Sequence, residues 1–177
     1  MATSAAPTYF EPYKANTGHT QQGYYALVDG GVFANNPASL ALMENFIDHK
    51  KAGHAIQIED ILLVSLGTGS LTRQFPYSKA KDWGALEWVL PIINITLDGT
   101  SESVGAQLSQ LLPRAHDIPP QYYRFQAFLD PGKGSDDMDN VLLQNIENLE
   151  NLARQMIAEN DHNLDELCNQ LSQPLAV

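Results

Sequence analysis

Leu27-Val28-Asp29-Gly30-Gly31-Val32-Phe33-Ala34-Asn35-Asn36-Pro37 decides the fold class of this 177-residue chain. An apolar run ends on a carboxylate, turns through two glycines and enters a helix start. Tyr24, Tyr25, Ala26, Leu27 and Val28 are bulky or apolar, and predict a buried strand that delivers Asp29 to its carboxyl end. Gly30 and Gly31 allow positive φ and let a neighbouring group approach where a Cβ would clash. Asn35 or Asn36 suits a helix cap, and Pro37 suits the first turn, where a missing N–H costs nothing. Leu40, Met43, Phe46 and Ile47 follow with core-facing helical spacing. Groups at the carboxyl ends of strands face the crevice of an open α/β sheet, which makes Asp29 the candidate catalytic residue. Read alone, an aspartate before two glycines is also an ordinary turn.

Working outward, strand, Asp turn, helix (about 37–51) and a second strand at Ile61–Leu66 give a β-α-β order, the signature of a parallel sheet with crossover helices. Before them, Lys14 to Gly23 is polar and turn-prone, and predicts a surface loop. Ser70 to Lys81 reads as an irregular loop. A helix is expected from Trp83 to Leu90 with Asp82 as its cap, and another from Ser101 to Leu112, closed by Pro113. Tyr122 to Phe128 alternates as a short strand. Asp139 to Glu159 is the clearest helix, with Leu142, Ile146, Leu149, Ala153 and Met156 on one stripe. A short helix holding Leu164, Leu167 and Leu171 ends the chain. No repeat, low-complexity block or linker interrupts it, so residues 1–177 read as part of one domain.

Composition limits the partners. Lys+Arg 10 against Asp+Glu 21 gives a formal net charge of -11, which repels polyphosphates and argues against nucleic acid. The same charge disfavours static adhesion to anionic lipid. Lys50 with Lys51 and Lys79 with Lys81 are the basic clusters, and read as solvated faces. Cys168 is the lone cysteine, which suits a reducing compartment such as the cytoplasm, with a secreted effector as the alternative. The opening residues lack a signal-peptide pattern, and the longest apolar stretch, Trp88 to Leu97, is interrupted by Pro91 and Asn94 and is too short to span a bilayer.

Other candidates have plainer readings. Gly67-Thr68-Gly69-Ser70 resembles a phosphate cradle, but Thr72 stands where the dinucleotide fingerprint needs a glycine, so a tight turn is preferred. Asp136, Asp137 and Asp139 lack the glycine and distal glutamate of a calcium loop, and are better read as caps at the positive end of the following helix. His19, His49, His54, His116 and His162 show no pair at ligand spacing. Trp83 and Trp88, near Leu90, Ile92, Ile93 and Ile95, predict core packing, with an acyl-chain pocket or lipid contact as the alternative.

Three segments together carry a family resemblance: the Asp29-Gly30-Gly31 stretch, Ala2-Thr3-Ser4-Ala5-Ala6-Pro7-Thr8-Tyr9-Phe10 before it, and Ile61-Leu62-Leu63-Val64-Ser65-Leu66-Gly67-Thr68-Gly69 after it. In this order and spacing they resemble the patatin-like phospholipases, lipid acyl hydrolases that use a Ser-Asp dyad. The resemblance implies a three-layer α/β/α fold with a mostly parallel central sheet, no metal or organic cofactor, and an acyl lipid or phospholipid substrate met at a transient lipid interface. It implies that Asp29 is the general base, taking the serine proton and returning it to the leaving group. The Trp83–Ile95 region becomes the best candidate for substrate contact.

The chain lacks the other half of that machinery. No serine sits in a Gly-x-Ser-x-Gly elbow: Ser65 has Gly67 after it but Leu63 before, and Ser103 has Gly105 after it but Ser101 before. Nor does a glycine-rich loop followed by Arg or Lys offer oxyanion-hole amides. In the family both elements precede the Ala2–Phe10 segment, so the expectation is a C-terminal portion of one catalytic domain, inert alone and needing the N-terminal half. A truncated parallel sheet would expose an unpaired strand edge. The alternative is a non-catalytic binding module derived from the same fold.

Overall fold

The computed structural model describes residues 2–71, 73–112, 119–130, 134–135, 137 and 139–173. After a 3-10 turn at Ala2–Ser4, the elements are β1 (Tyr13–Asn16), β2 (Tyr24–Leu27), α1 (Gly31–Ala34), α2 (Ala38–Lys51), β3 (Leu63–Leu66), α3 (Tyr77–Ala80), α4 (Ala85–Leu111), β4 (Tyr122–Phe125), α5 (Leu143–Glu159) and α6 (Asp161–Leu171). Helices with a parallel strand pair make this an α/β fold. Two compact units divide it, one of residues 1–37 and 84–104, the other of 38–83 and 105–177.

In the first unit β1 and β2 form an antiparallel hairpin, with Tyr13 opposite Leu27 and Asn16 opposite Tyr24. The predicted loop from Lys14 therefore contributes a strand. Its polar side chains stabilise the hairpin across the strands: Lys14 Nζ lies 4.4 Å from the centre of the Tyr24 ring, a diagonal cation–π contact. Gly23, at φ 77, closes the turn, and its carbonyl accepts from the Thr17 N–H (2.9 Å). The predicted burial of β2 does not hold. Tyr25, Leu27 and Val28 are exposed, because β2 pairs with β1 rather than with β3.

The second unit carries the parallel pair. Leu63 aligns with Tyr122 and Leu66 with Phe125, and the Gln121 amide fixes the start of β4 by donating to Ile58 O (2.7 Å) and Ile61 O (3.1 Å). The expected parallel sheet is thus made by β3 and β4. The latter is shorter than predicted, ending at Phe125, while Phe128 makes a bridge to Ser70. Tyr123, Phe125 and Leu167 form the core, with Leu62, Met156 and Leu164 against them. Gln170 Nε2 donates to Tyr123 Oη (2.6 Å), which ties α6 to β4.

Three helices depart from the sequence pattern. Leu40, Met43 and Ile47 of α2 are exposed, and Ala38 and Leu42 are buried instead. On α5 the expected stripe is displaced: Asn145 is buried and Leu149, Leu152 and Met156 are half-buried, while Leu142, Ala153 and Ile146 are exposed. Asn145 earns its burial through hydrogen bonds, accepting from the Ser135 N–H (2.9 Å) and donating to Asn140 O (3.1 Å). The two helices expected at about Trp83–Leu90 and Ser101–Leu112 are one, α4, with Pro91 inside it. Proline removes one N–H and crowds the carbonyl four residues back. Beyond it no second proline interrupts the ladder, and Thr100 bonds its hydroxyl back to Thr96 O (2.8 Å). Leu90, Ile92, Ile93 and Ile95 are exposed on α4 rather than packed in a core. Pro113, expected to close it, lies outside the described residues, as do Thr72, His116 and Asp136.

Candidate functional site

Asp29 leaves β2 at its carboxyl end, as the sequence predicts, and is half-buried. Its position is set from two sides. The Asp29 N–H donates to Ala5 O (2.9 Å), which fixes the backbone against the buried pair Ala5 and Ala6. Its carboxylate Oδ1 accepts the Gly31 N–H at 2.7 Å, a short, charge-assisted bond. Among the described residues no side chain hydrogen-bonds to Oδ2. The carboxylate is therefore oriented through Oδ1.

Of the two glycines only Gly31 does work that was predicted, the close approach. Gly30 sits at φ -64 and ψ -20, ordinary helical backbone, with nothing within 4 Å of where a Cβ would stand. Gly31 supplies the close approach: a Cβ there would lie 3.1 Å from Asp29 Oδ1. Asn35 ends α1 as its C-terminal cap residue. Asn36 is buried and donates Nδ2 to Ser101 O (3.2 Å), joining the Asp29 turn to α4 within the first unit.

Other sequence candidates occupy structural roles. Ser65 is buried, and its hydroxyl accepts from Arg124 Nη1 (2.9 Å) across the β3–β4 pair. The Gly67–Gly69 segment is not the tight turn preferred from the sequence: it carries the chain from β3 to the Ser70–Phe128 bridge, still parallel to β4 and with one extra residue against it. The Gly69 N–H donates to Gln126 Oε1 (3.3 Å), and a Cβ on Gly67 would overlap that same amide. Gly69 needs glycine on two counts, a φ of 108 and Leu129 Cδ1 only 2.6 Å from a would-be Cβ.

Asp137 and Asp139 do not cap α5. Leu142 is its cap residue, without a side-chain cap bond, while Asn140 Oδ1 takes the Leu142 N–H (3.3 Å) and the Asp137 carboxylate accepts from the Ser135 hydroxyl (2.7 Å). Among the described residues no three His, Cys, Asp or Glu side chains gather as a metal site, and no helix is long and apolar enough to cross a membrane. His19, His54 and His162 are exposed and His49 is half-buried. Trp83 meets Phe75 edge-on with ring centroids 5.6 Å apart, in the second unit, whereas Trp88 belongs to the first. What sequence reasoning missed at the site is the anchoring by Ala5, whose signal is only a small apolar pair within the Ala2–Phe10 segment.

The fold and site define an α/β chain that presents one oriented carboxylate after a strand and carries no serine elbow of its own. Comparison with known proteins supplies the family. Patatin-like protein 1 of Arabidopsis thaliana is 31% identical over 173 residues, covering 89% of this chain and 41% of that protein. Patatin-like protein 2 of the same plant is 32% identical over 171 residues, 87% of this chain and 40% of the relative. A Solanum tuberosum protein described as probable inactive patatin-3-Kuras 1 is 29% identical over 180 residues, 94% of this chain and 48% of the relative. No family model matches. The chain belongs to the patatin-like family, and spans less than half the length of these relatives.

Proposed function

We propose that this chain is the Asp-bearing, C-terminal portion of a single patatin-like domain that hydrolyses carboxylic esters of phospholipids or other acyl lipids. Asp29 is the general base. The nucleophilic serine and the oxyanion-hole amides come from polypeptide outside this sequence. The observation that carries the reading is the Asp29 carboxylate, which follows β2 and is oriented through Oδ1 by the Gly31 N–H.

In the first half-reaction Oδ2 of Asp29 takes the proton from the serine Oγ as that oxygen bonds to the ester carbonyl carbon. The proton then passes to the alkoxide leaving group as the ester C–O bond breaks, leaving an acyl-serine. Water, deprotonated by the same carboxylate, attacks the acyl carbon, and the serine leaves with its proton restored. Each step moves one proton between oxygens, so no cofactor is required. Gly31 holds Oδ1 and leaves Oδ2 to act as the base.

A chimera tests this. Patatin-like protein 1 of Arabidopsis thaliana is built with its matched segment replaced by this chain, and assayed with p-nitrophenyl esters and a fluorophosphonate serine probe. The expected result is hydrolysis and labelling of a serine outside this chain. Asp29→Asn lowers turnover by about 10²- to 10⁴-fold, the range of general-base contributions. A folded chimera whose activity survives Asp29→Asn refutes the assignment.

A second reading, a non-catalytic binding module, is favoured by the absence of any serine elbow in the chain and by the "probable inactive" description of one relative. It predicts a folded chimera that neither labels nor hydrolyses.

A further inference from the structure

The α1 turn is not held in place by burial of its own side chains. It is four residues long, none of them buried, and Val32 and Phe33 are 58% and 83% exposed. A helix this short has no stability of its own in water. Yet its first residue, Gly31, supplies the N–H that orients Asp29 Oδ1 (2.7 Å). A slide or tilt of the turn therefore carries the carboxylate with it.

Two hydrogen bonds bracket the turn, all within the first unit. Before it, the Asp29 N–H donates to Ala5 O (2.9 Å), which fixes the backbone that carries the carboxylate but not the Gly31 donor beyond it. After it stands Asn36, 4% exposed, whose Nδ2 donates to Ser101 O (3.2 Å) across 65 positions of sequence. Burying a carboxamide costs free energy unless its hydrogen bonds are made, so a buried asparagine behind an exposed turn is there for the bonds it makes. Ser101 lies inside α4, where the helical ladder uses one lone pair of its carbonyl and the second takes the amide. The acceptor is thus main chain within a helix, a fixed point rather than a side chain that can swing.

We propose that Asn36 is a positioning residue for Asp29: by pinning the far end of α1 to α4, it holds the Gly31 N–H where that donor sets the carboxylate. It acts through Gly31 and not on the substrate. The proposal rests on the reading above that Asp29 is the general base. An asparagine that only joined two helices would contribute to stability alone. One that positions the base contributes to turnover out of proportion to stability, and leaves substrate affinity untouched.

The test compares Asn36→Ala, and Asn36→Ser, whose hydroxyl sits one bond short of the amide, with Leu42→Ala, which empties a buried position of α2 outside the turn. In the isolated chain the Gly31 amide proton moves upfield in both Asn36 variants, as its bond to Oδ1 lengthens, and stays in place in Leu42→Ala. In the chimera, assayed below every melting temperature, kcat for p-nitrophenyl esters falls about tenfold in both Asn36 variants, as a displacement of about half an ångström implies, and KM is unchanged. Leu42→Ala melts earlier and keeps its kcat. An unmoved Gly31 resonance in a folded Asn36 variant overturns the proposal, as does an equal loss of kcat in Leu42→Ala, or a rise in KM without loss of kcat. So does failure of both Asn36 variants to fold, which makes Asn36 a folding residue. If Asp29→Asn spares the activity of the chimera, the general-base reading fails and takes this proposal with it. If Asp29→Asn removes the activity and the Asn36 variants keep it, this proposal fails alone.

Discussion

Replacing Gly31 by alanine should separate the positioning of Asp29 from the stability of the turn around it. The added Cβ would stand 3.1 Å from Asp29 Oδ1, the oxygen that already accepts the Gly31 N–H at 2.7 Å. Cβ-to-oxygen contacts this tight are relieved by a shift of about a few tenths of an ångström, and here the movable partner is the carboxylate. If misplacing a catalytic group by 1 Å costs about 10²-fold, this shift costs roughly three- to tenfold in kcat/KM. Stability moves the other way or hardly at all. Gly31 opens α1 in helical backbone, where alanine gains about 0.5–1 kcal/mol over glycine, offsetting the contact.

Gly30→Ala is the matched control, with helical φ, ψ and open space at its Cβ. It should raise stability by about 0.4–1 kcal/mol through the unfolded chain and leave kcat/KM unchanged. The assay has two arms: thermal melts of the isolated chain, and p-nitrophenyl ester kinetics of the chimera. In the isolated chain the Gly31 amide proton, bonded to a carboxylate, should also resonate far downfield and move upfield in Asp29→Ala. Equal activity of the two alanine variants would refute the argument that Gly31 sets the carboxylate.

Other outcomes follow from the core and the second unit. Phe125→Ala, removing a ring that is 3% exposed, should cost about 3–5 kcal/mol in denaturant unfolding. Tyr123→Phe should cost about 1 kcal/mol, since it removes the acceptor of the Gln170 amide and keeps the ring. Gly69→Ala, at φ 108 against Leu129, should destabilise by at least about 1–3 kcal/mol, while Gly53→Ala, with open space at its Cβ, bears only the φ penalty. Ser65 should take no fluorophosphonate label in the folded chain. Labelling there would contradict its buried hydrogen bond to Arg124.

The elements that the sequence declares most clearly are those whose signal is local. The turn at Asp29, α2, β3 and α6 follow from glycines, apolar runs and helical spacing, and they lie where those signals put them. Hidden from the sequence was what covers each apolar face. Leu40, Met43 and Ile47 have perfect spacing for burial, yet α2 turns Ala38 and Leu42 inward. A period identifies a stripe, and only tertiary partners choose among stripes. β1 was illegible for a related reason. Tyr-Lys-Ala-Asn has little strand character alone, and becomes a strand through pairing with β2 and the Lys14–Tyr24 contact. Pro91 misled in the opposite direction, since one lost hydrogen bond near a helix start is outweighed by the continuous ladder after it.

At the site, Asp29 was legible as a residue at a strand end, and Gly31 as a place of close approach. Its support by Ala5 was not, because a main-chain hydrogen bond between distant segments leaves no mark on side-chain identity. Gly30 shows the converse. A glycine in a sequence suggests special backbone, but its φ of -64 is one that any residue adopts.

The bond from Asp29 N–H to Ala5 O spans some two dozen residues, with the β1–β2 hairpin folded inside that span. By contrast, Ser65 and Arg124 on the parallel pair are 59 positions apart. Loop closure grows costlier with length, and hairpins close in about microseconds. During synthesis, then, the corner that holds the carboxylate has all its local parts as soon as α1 emerges from the ribosome. The parallel pair must wait for β4. The Asp29–Ala5 bond is thus a short-range property of the chain, while the tie of the same turn to α4 through Asn36 and Ser101 O, 65 positions apart, has to wait for that helix.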